Sequence, residues 1–251
     1  MPDKPKKVLL LGGTAEARQI AEKAVTFLPR DIEVITSFAG RTRRPTDPPG
    51  TVREGGFGGA RGLADYLKHE GIGLVVDATH PFAETMSDHA YDACQMAEVS
   101  RTLLVRPSWR LPPNARWIEV ADMAAAADAI GGFAKRVFLS TGTQEIEAYS
   151  DLTEIWFLVR MIAEPPAPLA LEHHELILAR PPFDLEAETS LIEAHGIDTL
   201  VTKHAGGARP AKIDAALEAG VIIVMVQPPP PPPGNRVGSV DEALNWIRRQ
   251  I

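Results

Sequence analysis

The chain has 251 residues, 45% of them hydrophobic and 24% charged, with one cysteine and a formal net charge of -7. That length suits two small domains, and that balance excludes a disordered chain and a general nucleic-acid binder, which would carry a basic face. The single thiol, Cys94, excludes an intrachain disulfide and a cysteine-built zinc site.

Met1 to Lys7 is polar and basic, and the run behind it is too short for a signal core. No stretch approaches the ~20 apolar residues that cross a bilayer, so the expectation is a cytoplasmic protein with no membrane partner. Val8–Leu11 reads as a short strand buried on both faces. Gly12-Gly13-Thr14 follows, then a helix with Ala17, Ile20, Ala21, Ala24 and Leu28 at helical spacing. Ile32–Thr36 is a strand, Leu63–Lys68 a helix, Gly73–Asp77 a strand, Glu84–Ala97 a helix and Thr102–Val105 a strand. Cys94 lies in the Ala-rich helix and reads as a packed core thiol. LPPNARW then breaks the pattern, which divides the chain into a first domain, 1–112, and a second, 113–251.

In the second half Ala121–Ile130 is a helix, Val137–Leu139 and Glu154–Val159 are strands, and Leu185–His195 is a helix. Thr199–Thr202, Ala211–Glu218 and Val221–Val226 continue as strand, helix and strand. Pro228–Pro233 is an extended polyproline run of roughly 3.1 Å per residue, read as a stiff connector because a helix follows at once. That helix places Val240, Ala243, Leu244, Ile247 and Ile251 on one face, with Ser239 and Glu242 as a capping box. Apolar strands alternating with helices imply an α/β fold with two parallel sheets, each covered on both faces.

The first strand-to-helix turn is the natural place for a pyrophosphate. Gly12 and Gly13 allow a tight turn and close approach, and the helix start offers N–H groups and a positive dipole end. Thr14 can cap that helix or meet a phosphate. The spacing is not the usual dinucleotide fingerprint. The second strand ends ITSFAGR, with Ser37 and then Arg41, Arg43 and Arg44 in place of the acid that holds an NAD ribose. Hydroxyl plus guanidinium suits the 2′-phosphate of NADPH, with Arg41 the preferred cation. The third strand ends VVDATHPFA, which puts Thr79 and His80 at the ligand edge of the sheet. His80 reads equally as a structural hydrogen-bonder and as an acid.

Cations recur at strand ends further on: Arg106, Arg160, Arg180 and Lys203, with His204, Gly206, Gly207 and Lys212 close behind the last. Ser140-Thr141-Gly142 adds another anion-friendly turn. Several such anchors along one sheet edge suit a ligand with many carboxylates. Metal chemistry has no support: His173-His174 are neighbours that do not share a helix face, and no ligand spacing occurs elsewhere.

GGTAEAR (12–18), SFAGR (37–41), DATHPFA (77–83), RPSW (106–109), STG (140–142) and LVTKHAGG with Lys212 together resemble the precorrin-6A reductase family of cobalamin biosynthesis. The resemblance implies two Rossmann-like halves with the active site between them, and NADPH-dependent reduction of precorrin-6A to precorrin-6B. It implies that Gly12, Gly13, Thr14 and Arg18 line the dinucleotide, that Ser37 and Arg41 hold the 2′-phosphate, and that Thr79, His80, Pro81 and Phe82 shape the nicotinamide end. Thr141, Gly142, Lys203, Gly206, Gly207 and Lys212 would meet the tetrapyrrole polycarboxylate, alongside the strand-end Arg106 and Arg160. The proton could come from His80, Lys203 or water. Transient contacts with neighbouring pathway enzymes belong to the same expectation.

Two departures stand out: Gln227-Pro228 where the family has Arg-Pro, and Arg180-Pro181-Pro182-Phe183 where it has Gly-Pro-Phe. A short-chain dehydrogenase would need Tyr-x-x-x-Lys, and Tyr66, Tyr91 and Tyr149 have Glu70, Gln95 and Thr153 four positions on. The alternatives are a non-enzymatic NADP(H)-binding redox sensor, which needs no row of strand-end cations, and an NADPH reductase of another polyanionic substrate.

Overall fold

The computed structural model describes residues 6–38, 48–142 and 145–251. In chain order they form β1 (Lys7–Leu11), α1 (Ala15–Phe27), β2 (Glu33–Phe38), β3 (Thr51–Glu54), α2 (Gly59–Glu70), β4 (Leu74–Asp77), α3 (Glu84–Ala97) and β5 (Ser100–Leu104). Then follow β6 (Trp117–Val120), α4 (Met123–Ile130), β7 (Arg136–Leu139), β8 (Trp156–Met161), β9 (His174–Leu178), α5 (Leu185–Ala194), β10 (Thr199–Lys203), α6 (Ala211–Glu218), β11 (Ile222–Val226), β12 (Asn235–Val237) and α7 (Val240–Gln250). Two compact units result: Met1–Pro107 with Pro229–Ile251, and Ser108–Pro228.

The first unit is a six-stranded sheet in the order β12-β5-β4-β1-β2-β3, and the second a six-stranded sheet in the order β6-β11-β10-β7-β8-β9. Among the described residues every strand pairing in both sheets is parallel. Each sheet reverses its winding beside its central strand, β1 or β7, which opens a ligand crevice at the carboxyl ends of the strands.

β1 explains the sandwich of the first unit. Val8 and Leu10 face α1 and α7 in one core, with Ile20, Ala24, Leu244 and Ile247. Leu9 and Leu11 face α2 and α3 in the other, with Leu63, Leu67, Ala90 and Cys94. A strand buried on both faces needs a continuous apolar run, and KVLLL supplies it. In the second unit Phe138, Leu158, Leu200 and Ile223 pack against Ile192, Ile213 and Ala216 of α5 and α6. Thr14, Asp122, Asp184 and Ser239 cap α1, α4, α5 and α7, each accepting a backbone N–H from the first turn.

The expected division at 112/113 differs from the observed one. Residues 229–251 return to the first unit, because β12 pairs with β5 and the apolar face of α7 covers the α1 side of that sheet. β6, the strand that follows β5 in sequence, joins β11 in the second sheet instead. The outermost position beyond each sheet's fifth strand is thus filled by a segment that chain order would give to the other sheet.

Candidate functional site

The carboxyl end of β1 leads into Gly12 and Gly13. A Cβ on Gly12 would stand 3.2 Å from Phe38 Cε1 and Thr36 Cγ2 and 3.3 Å from Ser37 O, so β2 approaches closely here and a side chain would push on it. Gly13 has φ +110° and nothing within 4 Å of a would-be Cβ. Its conformation requires glycine, and its open side leaves room for a ligand at the start of α1. Thr14 is already engaged: its hydroxyl donates to Ala78 O (2.7 Å) and accepts from Ala17 N (3.2 Å). It therefore acts as a helix cap tied to the end of β4. Arg18 is exposed on α1 and pairs with Glu22 at 2.8 Å.

Beyond β4 the motif 77–83 is built on a buried carboxylate. Asp77 Oδ1 accepts from Thr79 N (3.2 Å) and Thr79 Oγ1 (2.8 Å), and Thr79 also meets Ser87 at 3.3 Å. Asp77 Oδ2 faces Arg101 Nη1 at 3.5 Å, and both side chains are buried. His80 is exposed, its Nδ1 accepting from Phe82 N at 3.3 Å, and its ring stands 5.7 Å from that of Phe82.

Arg106, expected at the substrate, belongs to the first unit. Its guanidinium takes both carboxylate oxygens of Glu16 at 2.9 and 3.0 Å and donates to Thr79 O at 3.3 Å. Burial pushes the Glu16 carboxyl up, but the Arg106 hydrogen bond, its own backbone N–H and the charges of Arg106 and His80 outweigh it and hold it below its usual value. The motif pieces GGTAEAR, DATHPFA and RPSW therefore meet in one network, through Glu16, Thr79 and Arg106.

On the other side of β1, β2 ends Thr36-Ser37-Phe38 without an acid. Ser37 is buried, and Arg53 Nη1 lies 3.4 Å from its hydroxyl. Sequence reading passed over Arg53, because β3 is a short strand behind a proline-rich turn. Arg41, Arg43 and Arg44 lie outside the described residues.

In the second unit the strand-end residues gather at one sheet edge. Ser140 follows β7, with Thr141 buried and Gly142 at φ +89°. Lys212, in the first turn of α6, donates to Ser140 Oγ at 2.7 Å, and that hydroxyl lies 3.4 Å from Thr202 Oγ1. Burial lowers the Lys212 pKa to about 8, helped by the Arg160 charge and opposed by Glu188. Lys203 stands 3.7 Å from Glu145. Gly206 and Gly207, at φ +68° and +75°, turn the chain toward α6.

Arg160 is held differently. It forms a bidentate pair with buried Glu188 at 2.8 and 3.0 Å and lies over Phe183 at 3.9 Å, so its charge is matched inside the protein. His204 accepts from Trp109 N at 3.2 Å and packs on the Trp109 ring at 4.8 Å; burial lowers its pKa and keeps it neutral. Among the described residues no group of three or more His, Cys, Asp or Glu could hold a metal ion, and no helix is long and apolar enough to cross a membrane.

A family model described as precorrin-6x reductase CbiJ/CobK matches residues 7–248. The precorrin-6A reductase of Rhodococcus erythropolis is 42% identical over 243 residues, 96% of this chain and 97% of that protein. That of Rhodobacter capsulatus is 36% identical over 242 residues, covering 96% and 95%. The solved structure of CobK precorrin-6A reductase superposes with a TM-score of 0.90 at 35% identity, covering 98% of this chain and 97% of that one.

Proposed function

We propose a reaction for this chain on one premise: it belongs to the precorrin-6x reductase CbiJ/CobK family. It is an oxidoreductase that reduces precorrin-6A in cobalamin biosynthesis, and our reading takes NADPH as the reductant, precorrin-6B as the product and the cytoplasm as the place. The observation that carries the choice of cofactor is the end of β2, where a buried serine and a guanidinium stand in place of an acid.

When bound, NADPH supplies the hydride. The chain supplies position and charge. The open side of Gly13 and the first turn of α1 receive the pyrophosphate, and Ser37 faces the ribose phosphate. The segment Thr79–Phe82, fixed by Asp77 and Arg106, borders the nicotinamide. Lys203 and Lys212, with the turns at Thr141-Gly142 and Gly206-Gly207, meet carboxylates of the macrocycle. Arg160, neutralised by Glu188, holds α5 against β8 rather than binding an anion. His80, Lys203 and water remain the candidates for delivering the proton to the reduced carbon.

The test is NADPH oxidation by the purified protein with and without precorrin-6A. Oxidation that depends on the macrocycle is the expected result, and NADH should be a poorer donor. Tight NADPH binding without macrocycle-dependent oxidation would replace this reading by a nucleotide sensor.

A further inference from the structure

Buried or half-buried arginines in this protein mostly face acids. Arg106 meets Glu16, Arg101 meets Asp77, and Arg160 meets Glu188. Arg53 does not. It is half-buried on β3, directly opposite Ser37 in the parallel register. Its Nη1 reaches Ser37 Oγ at 3.4 Å and Gly55 O at 2.5 Å, and its Nη2 reaches Gly56 O at 3.0 Å. All three acceptors are neutral. The guanidinium also lies 3.7 Å from the centre of the Phe57 ring and 5.0 Å from that of Tyr66. An arginine has five N–H donors, so three bonds leave two without a protein acceptor among the described residues.

We propose that Arg53 is a specificity-determining residue that receives the 2′-phosphate of the cofactor beside Ser37; this rests on the NADPH reading above. The bland alternative is a donor that closes the Gly55–Gly56 turn. Turn closure needs an N–H but no charge, and it does not call for a full cation clamped on an aromatic face with no carboxylate in range among the described residues. Arg136 has similar neutral surroundings, with its charge over Trp156 at 3.9 Å, but it stands at the amino end of β7, away from the ligand edge. Arg53 stands at the carboxyl end, next to the strand terminus that reads the adenosine ribose in folds of this winding. Stacking and the two carbonyl bonds fix the guanidinium in advance, so little rotamer freedom is lost when a dianion arrives.

The experiment is calorimetric titration of the full chain with 2′,5′-ADP and with 5′-AMP, using wild type, Arg53→Gln and Arg53→Lys. Wild type is expected to prefer 2′,5′-ADP. Arg53→Gln should lose about 10- to 100-fold in affinity for 2′,5′-ADP, the range for a charge-assisted bond, and leave 5′-AMP unchanged. Arg53→Lys, a point charge without the fork, should fall between the two, and it carries the comparison if the glutamine variant folds poorly. Unchanged 2′,5′-ADP affinity in Arg53→Gln, or an equal loss for both nucleotides, overturns the assignment and leaves only turn closure. A wild type that does not distinguish the two nucleotides removes the NADPH reading itself, and the role of Arg53 with it.

Discussion

Lys212 shows at the scale of one residue how a cation without an acid partner can burden the fold. Its ammonium is bonded to a hydroxyl, not a carboxylate, and burial lowers its pKa from 10.5 to about 8. A depressed lysine means that the folded protein binds fewer protons than the unfolded chain between those values. The Lys212 contribution to stability therefore rises with pH through that window, and the full cost of the buried charge is present below it. In the same range Cys94, whose buried thiol is pushed up to about 12, and the buried Tyr149 hydroxyl work the other way, so the rise is expected as a gain of wild type relative to Lys212→Met between pH 8 and 10 in urea unfolding. Lys212→Met should make the ligand-free protein more stable at pH 7, while weakening macrocycle binding. A variant less stable than wild type at pH 7 would show that the ammonium is well satisfied where it lies. Lys212 was legible in the sequence because it follows a glycine-rich strand end. The neutralisation of Arg106 and Arg160 was not, because their partners Glu16 and Glu188 lie 90 and 28 residues away and only the fold brings them close.

Between elements, the Glu16–Arg106 pair joins the first turn of α1 to the segment after β5, and Arg106 ties both to Thr79 O after β4. An acid at a helix start complements the helix dipole but repels a phosphate arriving at the same end. Arg106 cancels that repulsion. Arg106→Met should therefore weaken NADPH binding by about ten-fold or more, and Glu16→Gln in the same chain should recover part of the loss. A double-mutant cycle on NADPH affinity reads the coupling directly; strictly additive losses would mean that the two side chains act separately. The elements that sequence reading found are those with a buried face: β1, β4, β7, β10 and β11 carry apolar runs, and α1 and α7 carry apolar stripes. The pass missed β3, β6 and β12, and it recognised β9 only by its end at Arg180. These are short strands at the sheet edges, largely exposed along their length. An edge strand is held by one neighbour's ladder and needs no apolar run to form, so it leaves little trace in composition.

For the whole molecule, the decisive feature is the return of residues 229–251 to the first unit. The proline run is fastened there as it arrives, Arg101 donating to Pro233 O at 2.9 Å and Arg236 to Pro231 O at 3.2 Å. α7 then buries Ala243, Leu244, Trp246 and Ile247 against the α1 side of the sheet. Division by chain order would make this segment part of the second half, and the two views predict opposite results for a chain ended at Pro228. Trp109, Trp117 and Trp156 all lie in the second unit, and Trp246 is the only tryptophan of the first. Tryptophan fluorescence of the shortened chain therefore reports the second unit alone. A cooperative fluorescence transition should survive, while far-ultraviolet dichroism loses much of the first unit's helix and NADPH binding disappears. The milder Trp246→Ala should cost about 3–5 kcal/mol in the full chain, as other large core truncations do. If shortening instead destroyed the fluorescence transition and spared NADPH binding, the last helix would belong to the second unit. The first sheet would then have to be stable without its outermost strand and with one face of its core open to water.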